Sequence, residues 1–406
     1  MPFRLALSGL NAASTDLTVT ANNVANVATA GFKGSRAEFA DLFATSQQGV
    51  SATAIGNGVR VSNVAQQFTQ GNIDFTDNSL DLAISGQGFF ILNDQGAQAY
   101  TRAGAFQVDS QGFVVNAKQQ RLQVYPPLAN GGFNTGGLSD LSLTTGVSAP
   151  NATTNVEVTA NLPAAATAPA TAIFNPADPT SYNNATSLTV YDSLGAAHTA
   201  TLYFVKDALA NNWETNLFVD GTQVNIATVP LIYNNVGALI TPATGSVTFP
   251  SYLPATGAAP ITMTIDFGAT TQFGANFSVN AITQDGFTTG RLIGMDIDSS
   301  GIVQARFTNG RALQLGQIAM ANFSNPQGLQ QLGDTSWAET FASGQGLRGE
   351  AGNSGFGLIQ AGALEASNVD ITEQLVSMIT AQRNFQANAQ MISTADSITQ
   401  TIINIR

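Results

Sequence analysis

The sequence predicts a multidomain α+β protein: all-β inner and outer domains, with a long α-helix at each end of the chain and the two helices forming a coiled-coil-like pair. Three observations predict it. Apolar residues recur at alternating steps of four and three at both ends, short alternating stretches broken by turn residues fill the middle, and 406 residues at 42.0 kDa exceed what one core usually holds.

The first helix is read from Phe3, Leu7, Leu10, Leu17, Ala21 and Val24, with Ser14 interrupting the seam. It should stop where Asn22, Asn23 and Asn26 lower helix propensity and Gly31 offers a permissive backbone. The second is read from Ile371, Leu375, Met378, Phe385, Ala389, Ile392, Ala395, Ile398, Ile402 and Ile405, with Gln382 on the seam. Ser367 or Asn368 is the expected cap, and the helix should run about 35 residues, or roughly 50 Å. The faces away from this seam, including Gln374, Ser377 and Asn388, carry little charge.

Between the helices three hairpins are legible. Asp109-Ser-Gln-Gly112 and Asp192-Ser-Leu-Gly195 sit between alternating stretches, and Asn309-Gly310 is a primed-turn signal. The stretch 150–184, rich in Ala, Thr, Asn and Pro, reads as a loop-rich boundary, as does 252–260. The expected organisation is therefore a terminal helical polymerisation domain over 1–70 and 363–406, including an N-terminal linker. An inner β domain covers 71–145 and 285–362, and an outer β domain over 146–284 is inserted in it.

Composition excludes several function classes. Fourteen basic against 26 acidic residues give a net charge of −12, which repels phosphate backbones and anionic lipid heads, so neither nucleic acid nor membrane insertion is expected. No apolar run approaches the roughly 18 residues of a spanning helix. The start, Met1-Pro2-Phe3-Arg4, has one basic residue and no continuous apolar stretch, so no cleaved secretory signal is expected. With no cysteine and one histidine, His198, thiolate chemistry, disulfides and multi-His metal cages are excluded. Charged residues make up only 10% of the chain, leaving little repulsion between copies.

Candidate chemical motifs reduce to turns. Gly344-Gln-Gly346-Leu-Arg-Gly349 matches a dinucleotide fingerprint, but Glu350-Ala-Gly-Asn-Ser-Gly that follows cannot start the helix it needs. Asp296-Ile-Asp298-Ser-Ser-Gly301 opens like a calcium loop, yet Phe307 stands where a bidentate Glu is required. Asp192, Ser193 and His198 around one hairpin seldom reach triad geometry. No paired carboxylates stand out. No catalytic, cofactor-binding or metal-binding residue is therefore expected.

Ala21-Asn22-Asn23-Val24-Ala25-Asn26 followed by Thr29-Ala-Gly31-Phe32-Lys33 resembles the N-terminal signature of the bacterial flagellar rod and hook axial protein family. Leu80-Asp-Leu-Ala-Ile-Ser-Gly-Gln-Gly-Phe-Phe90 resembles a second shared block. Glu365-Ala-Ser-Asn368-Val-Asp370 with Ala381-Gln382-Arg383-Asn384 resembles the C-terminal one. Phe385 stands where the family often has Tyr, and Ala28 where Asn is common. Val190 to Gly195 through His198, Tyr203 and Trp213 is similar to the outer domain of the family's hook members.

The resemblance implies a non-enzymatic subunit of the curved, flexible tube that transmits torque from rod to filament. It implies a homopolymer, export in unfolded form by the flagellar export apparatus, and rod, hook-cap and hook–filament junction proteins as partners. Phe3, Leu7, Leu10, Leu17, Val24, Leu375, Met378, Phe385, Ile392, Ile398 and Ile402 are the expected polymerisation seam. The rivals are a distal rod subunit, and a secreted β-rich adhesin or glycan binder stacking sugars on exposed Tyr and Trp of the outer domain. Two uncharged terminal seams favour the axial protein. For a dilute monomer, they also predict mobile ends around a protected core near 71–362.

Overall fold

A computed structural model describes residues 2–42, 56–129, 131–143, 146–225 and 227–404. Most of it is β-structure, and its two α-helices among the described residues lie at the two ends of the chain. The chain divides into two compact units: Met1–Thr144 with Gly294–Arg306 and Ala312–Arg406, and Thr145–Ile293 with Phe307–Arg311. The Asn309-Gly310 turn thus belongs to the second unit.

In the first unit, α1 (Pro2–Ala25) and α2 (Ile371–Asn404) pack against each other. Pro2 opens α1, where its missing N–H costs nothing. Asp370 opens α2: its Oδ1 accepts from Thr372 N at 2.7 Å and Glu373 N at 3.2 Å. The expected caps, Ser367 and Asn368, do not serve, because Asn368 is engaged elsewhere. The helices run antiparallel. Asn23 is bonded to Gln374, and a Cβ on Gly9 would lie 2.4 Å from Asn388 Oδ1. Both steps, 9 to 23 and 374 to 388, span two heptads in opposite directions.

The backbones come close because Ala6, Gly9, Ala12, Ala13 and Ala381 are small. That approach rotates α2 from the expected setting. Gln374, Ser377 and Asn388 turn inward beside Met378, Phe385 and Ile392, all half-buried, whereas Ile371, Leu375 and Ile398 stand in solvent. On α1, Leu10, Leu17 and Val24 are half-buried, and Phe3 and Leu7 are exposed. Ile405 and the side chain of Ile402 lie outside the described residues. From Asp396 to the end of α2, every described side chain is exposed.

Part of the segment expected as linker forms a hairpin, Ser35–Asp41 with Val59–Gln66, against α1. Its polar alternation, Arg36, Glu38 and Arg60, hid it from hydropathy. The main sheet of this unit runs Ile302–Phe307, Ala312–Asn322, Arg121–Tyr125, Phe89–Asp94, Ala97–Thr101, Ser336–Ala338 and Gln330–Gly333. One face buries Leu82, Phe90, Leu122 and Met320; the other buries Phe89, Tyr100, Phe323 and Trp337. Asp109 Oδ1 closes the first hairpin turn through Gln111 N and Phe113 N. Asp298 Oδ1 does the same through Ser300 N and Ile302 N, so the calcium-like stretch is a turn. Gly346 is followed by a strand, Leu347–Glu350.

The second unit is a sandwich of a six-stranded and a five-stranded sheet. Here the reading of 150–184 as loop needs correction: Asn155–Pro163 is a nine-residue strand at the centre of the smaller sheet. Val156, Val158, Ala160 and Leu162 are buried at alternate positions; intervening Thr and Asn diluted the signal. Trp213 and Tyr233 are core residues, 0% and 2% exposed, so Trp213 offers no stacking platform.

His198, itself buried, lies between two carboxylates, with Nδ1 2.6 Å from Asp220 Oδ2 and Nε2 3.2 Å from Asp192 Oδ2. Ser193 Oγ instead accepts from Ala259 N, so the three residues do not form a nucleophile–base relay. Burial works to lower the His198 pKa, but Asp220 and Asp192 outweigh it and raise the value. Burial likewise opposes ionisation of Asp192. The Ala196 and Leu194 N–H groups, Thr256 and His198 overcome it and hold that carboxyl down to about 2. Asp220 is lowered in the same way.

The signs define a pH window. A raised histidine stabilises fully below its unfolded value of about 6.5, and that contribution is lost as pH rises through the folded value. The lowered carboxylates stabilise above about 4, and that contribution is lost as pH falls. The melting temperature of this unit should therefore decline from pH 6 to pH 9. His198→Gln should flatten that decline. Calorimetry across the range checks both, and equal slopes in the two proteins would remove His198 from the cause.

Candidate assembly interface

The three sequence blocks that carry the resemblance converge on one buried junction in the first unit. Strand Ala363–Glu365 pairs with Ile73–Phe75 and brings the fully buried Glu365 carboxylate inward. Its Oε1 accepts from Lys33 Nζ at 2.7 Å and Gly71 N at 2.9 Å, and its Oε2 accepts from Arg102 Nη1 at 3.2 Å. Two cations thus share one anion. Backbone carbonyls take up the excess: Lys33 also donates to Thr69 O at 2.8 Å, and Arg102 Nη2 to Gly86 O at 2.7 Å. Burial pulls both the Lys33 ammonium and the Arg102 guanidinium below their ordinary range, against the attraction of Glu365.

Gly31 makes this approach possible. Its φ of +68° suits glycine, and a Cβ there would lie 2.5 Å from Ala103 N. Gly31 N donates to Glu365 O at 2.7 Å. Nearby, Asn368 ties the two ends of the chain together: its Oδ1 accepts from Gly34 N, and its Nδ2 donates to Gln67 O and Thr69 Oγ1. Asn23, also buried, exchanges two bonds with the backbone of Ser35 and reaches Gln374 Oε1 at 3.0 Å. One amide therefore links α1, the hairpin and α2.

The remaining motif residues fall into two groups. Asn22 and Asn26 close the α1 terminus, with Asn26 Nδ2 donating to Asn22 O, while Phe32 is half-buried beside Lys33. Gln382 and Arg383 have exposed side chains, bonded to no other described residue. Sequence reading missed Arg102 as the second cation and Glu365 as the hub. The available signal was the scarcity of charge in a chain with only 14 basic residues.

Because residues 31–34 and 365–370 are bonded to one another and to the β structure, the protected body should extend beyond 71–362, to near Gly31 and Asp370. Glu365→Gln leaves two buried cations without an anion and should cost about 3–5 kcal/mol. We expect a lowered urea midpoint for this unit and proteolysis that retreats to near residue 71. A variant that melts and digests like the parent would show that Glu365 does not hold the junction.

Comparison with known proteins follows the same order along the chain. Four family models match: Flagella basal body rod protein over 3–33 and Flagellar hook protein FlgE/F/G D1 domain over 83–161, then Flagellar basal body protein FlaE D2 domain over 161–287 and Flagellar basal body rod FlgEFG protein C-terminal over 360–405. The chain is 39% identical over 422 residues to the flagellar hook protein FlgE of Escherichia coli K12, covering all of both chains. It is 35% identical over 419 residues to that of Rhizobium meliloti strain 1021, covering 99% of this chain and 98% of the relative. The crystal structure of Helicobacter pylori flagellar hook protein FlgE2 superposes with a TM-score of 0.54 at 14% identity, over 72% of this chain and all of that one, which shows a shared fold. Matched end to end by these relatives, the chain belongs to the family of bacterial flagellar hook proteins.

Proposed function

We propose that this hook subunit polymerises through its two terminal helices, which pair as a coiled coil and pack with those of neighbouring copies into the inner tube. One observation carries the reading. Small and polar side chains share the contact with Met378, Phe385 and Ile392, while Phe3, Leu7, Ile371, Leu375, Ile379 and Ile398 stand about half exposed on the outside of the pair. Apolar side chains turned to water at both ends of the chain are the pattern of a surface that other copies cover. Gln382 and Arg383 lie on the same open helix and would bond across to a neighbour.

In this reading, the terminal helices serve as the polymerisation domain, and the β regions near 71–145 and 285–362 form an inner shell. The region near 146–284 forms an outer shell that tunes curvature. The work of the polymer is mechanical: it carries torque from rod to filament through a flexible joint, with no reaction catalysed. Rod, hook-cap and junction proteins would meet its two ends, and the subunit would pass unfolded through the export apparatus. The cysteine-free, sparsely charged sequence supports that route.

Leu375→Glu and Ile398→Glu place a charge on the open face without touching the monomer's core. A charge buried unpaired in a closed tube costs several kcal/mol, so each should abolish tubes or raise the critical concentration at least tenfold. Melting of the β units should not change. Negative-stain microscopy and sedimentation read the outcome, and tubes of normal yield from both variants would move the interface off this face.

A further inference from the structure

In the second unit, the segment 164–183 leaves the strand Asn155–Pro163 and returns as Asn184–Tyr191. Its turns are closed by its own bonds, Thr171 N to Thr180 O and Ser181 Oγ to Asn175 O. Two of its rings lie on the face of the six-stranded sheet that is turned away from the core. Phe174 stands 5.4 Å from Tyr203 and 5.8 Å from Phe218, and Tyr182 stands 4.9 Å from Tyr203, centroid to centroid. Of the seven tyrosines, Tyr182 and Tyr203 are the one pair, among the described residues, whose rings meet. Both are half-buried, so each ring is partly open to solvent. Tyr100, Tyr125 and Tyr233 are buried, and Tyr252 donates its hydroxyl to Asp220 Oδ2 at 3.3 Å.

We propose that Tyr182 and Tyr203 form an oxidative modification site, joined by a dityrosine bond when the folded chain meets a one-electron oxidant of the haem-peroxidase class with hydrogen peroxide. The oxidant takes one electron and one proton from each phenol. The ring carbons ortho to the two oxygens then form one C–C bond, and each passes its hydrogen to its own oxygen as the ring becomes aromatic again. Two hydrogens leave the chain in all, and one peroxide is reduced to two waters.

The fold keeps the two phenols together. Asn184 pairs with Phe204, so Tyr182 and Tyr203 flank the open end of one hairpin, and Phe174 contacts both rings. They meet edge to face at 73°, an arrangement favoured by aromatic pairs, so a side-chain rotation precedes the bond. Tyr182 follows the short helical turn Pro179–Ser181 on extended backbone outside the core and has room for that rotation. The segment needs a clasp, since it is rich in Ala, Thr and Pro and leaves Ile173 80% exposed. With no cysteine in the chain, a disulfide cannot supply one. A bond between residues 182 and 203 would pin the segment to the sheet without sulfur, and a cross-link of this kind removes conformations from the open chain.

The test uses the full chain, dilute and unassembled, treated with a haem peroxidase and hydrogen peroxide, with a free tyrosyl peptide in a parallel tube to show that the oxidant couples phenols. Dityrosine emission should appear in chains that remain monomeric. Peptide mapping should find the segments around Tyr182 and Tyr203 linked and lighter by two hydrogens, and a broad-specificity protease should cut within 164–181 several-fold more slowly than before treatment. Tyr182→Phe and Tyr203→Phe should each lose the emission while keeping the circular dichroism of the parent, and Tyr191→Phe should keep both. Absence of dityrosine from the folded parent while the free peptide couples overturns the proposal. So do a link that maps to other tyrosines, covalent dimers in place of the internal bond, and emission that persists in either folded variant. Cutting at an unchanged rate in linked chains overturns the role of the bond as a clasp.

Discussion

The constraint on which the rest of the first unit depends is the sharing of one buried carboxylate by two cations. Glu365, Lys33 and Arg102 come from three distant parts of the chain, and none of the three charges is tolerable in the interior without the others. The junction therefore forms as a whole or not at all. Once formed, it fixes the segments that follow α1 and precede α2. Gly31 allows that approach, and Asn23 and Asn368 carry the placement on to the hairpin and the helices. Sparse charge elsewhere makes the selection sharper, since few competing partners exist for any of the three.

A second consequence concerns what is left for other molecules. Because the helices are held at both roots and approach through Gly9 and alanines, their large apolar side chains cannot all be satisfied within the pair. In a typical soluble hairpin, the large residues face in and the small ones face out. Here the preference is partly inverted, and the surplus apolar surface points to solvent. The second unit behaves differently: its core is complete within the sandwich, and Trp213, Phe204 and Phe267 are fully buried. The chain thus joins a self-sufficient β-sandwich to a helical pair that is not self-sufficient.

Much of this was legible before any coordinates. Heptad steps located both helices to within a residue or two, since a 3.6-residue period is hard to mimic. Asp-x-x-Gly and Asn-Gly marked hairpins because those residues do specific work in turns. The strand Asn155–Pro163 was hidden because Thr, Asn and Ala pack a half-buried strand without raising its hydropathy. The hairpin of Ser35–Asp41 and Val59–Gln66 was hidden because Arg36, Glu38 and Arg60 mask its alternation. The direction of the seam misled for a related reason: periodicity fixes which residues share a stripe, but the size of the opposing side chains decides which stripe faces in. Of the ion cluster only the scarcity of charge was visible, because pairing residues 33, 102 and 365 requires the fold.

The antiparallel register has a geometric outcome. With Asn23 beside Gln374 and Gly9 beside Asn388, the first residues of α1 fall opposite Ala395. Asp396 to Asn404 then extend past the shorter helix as an overhang of roughly 14 Å at 1.5 Å per residue, with Ile398 and Ile403 exposed on it. A rod with one blunt root and one protruding tip has a head and a tail.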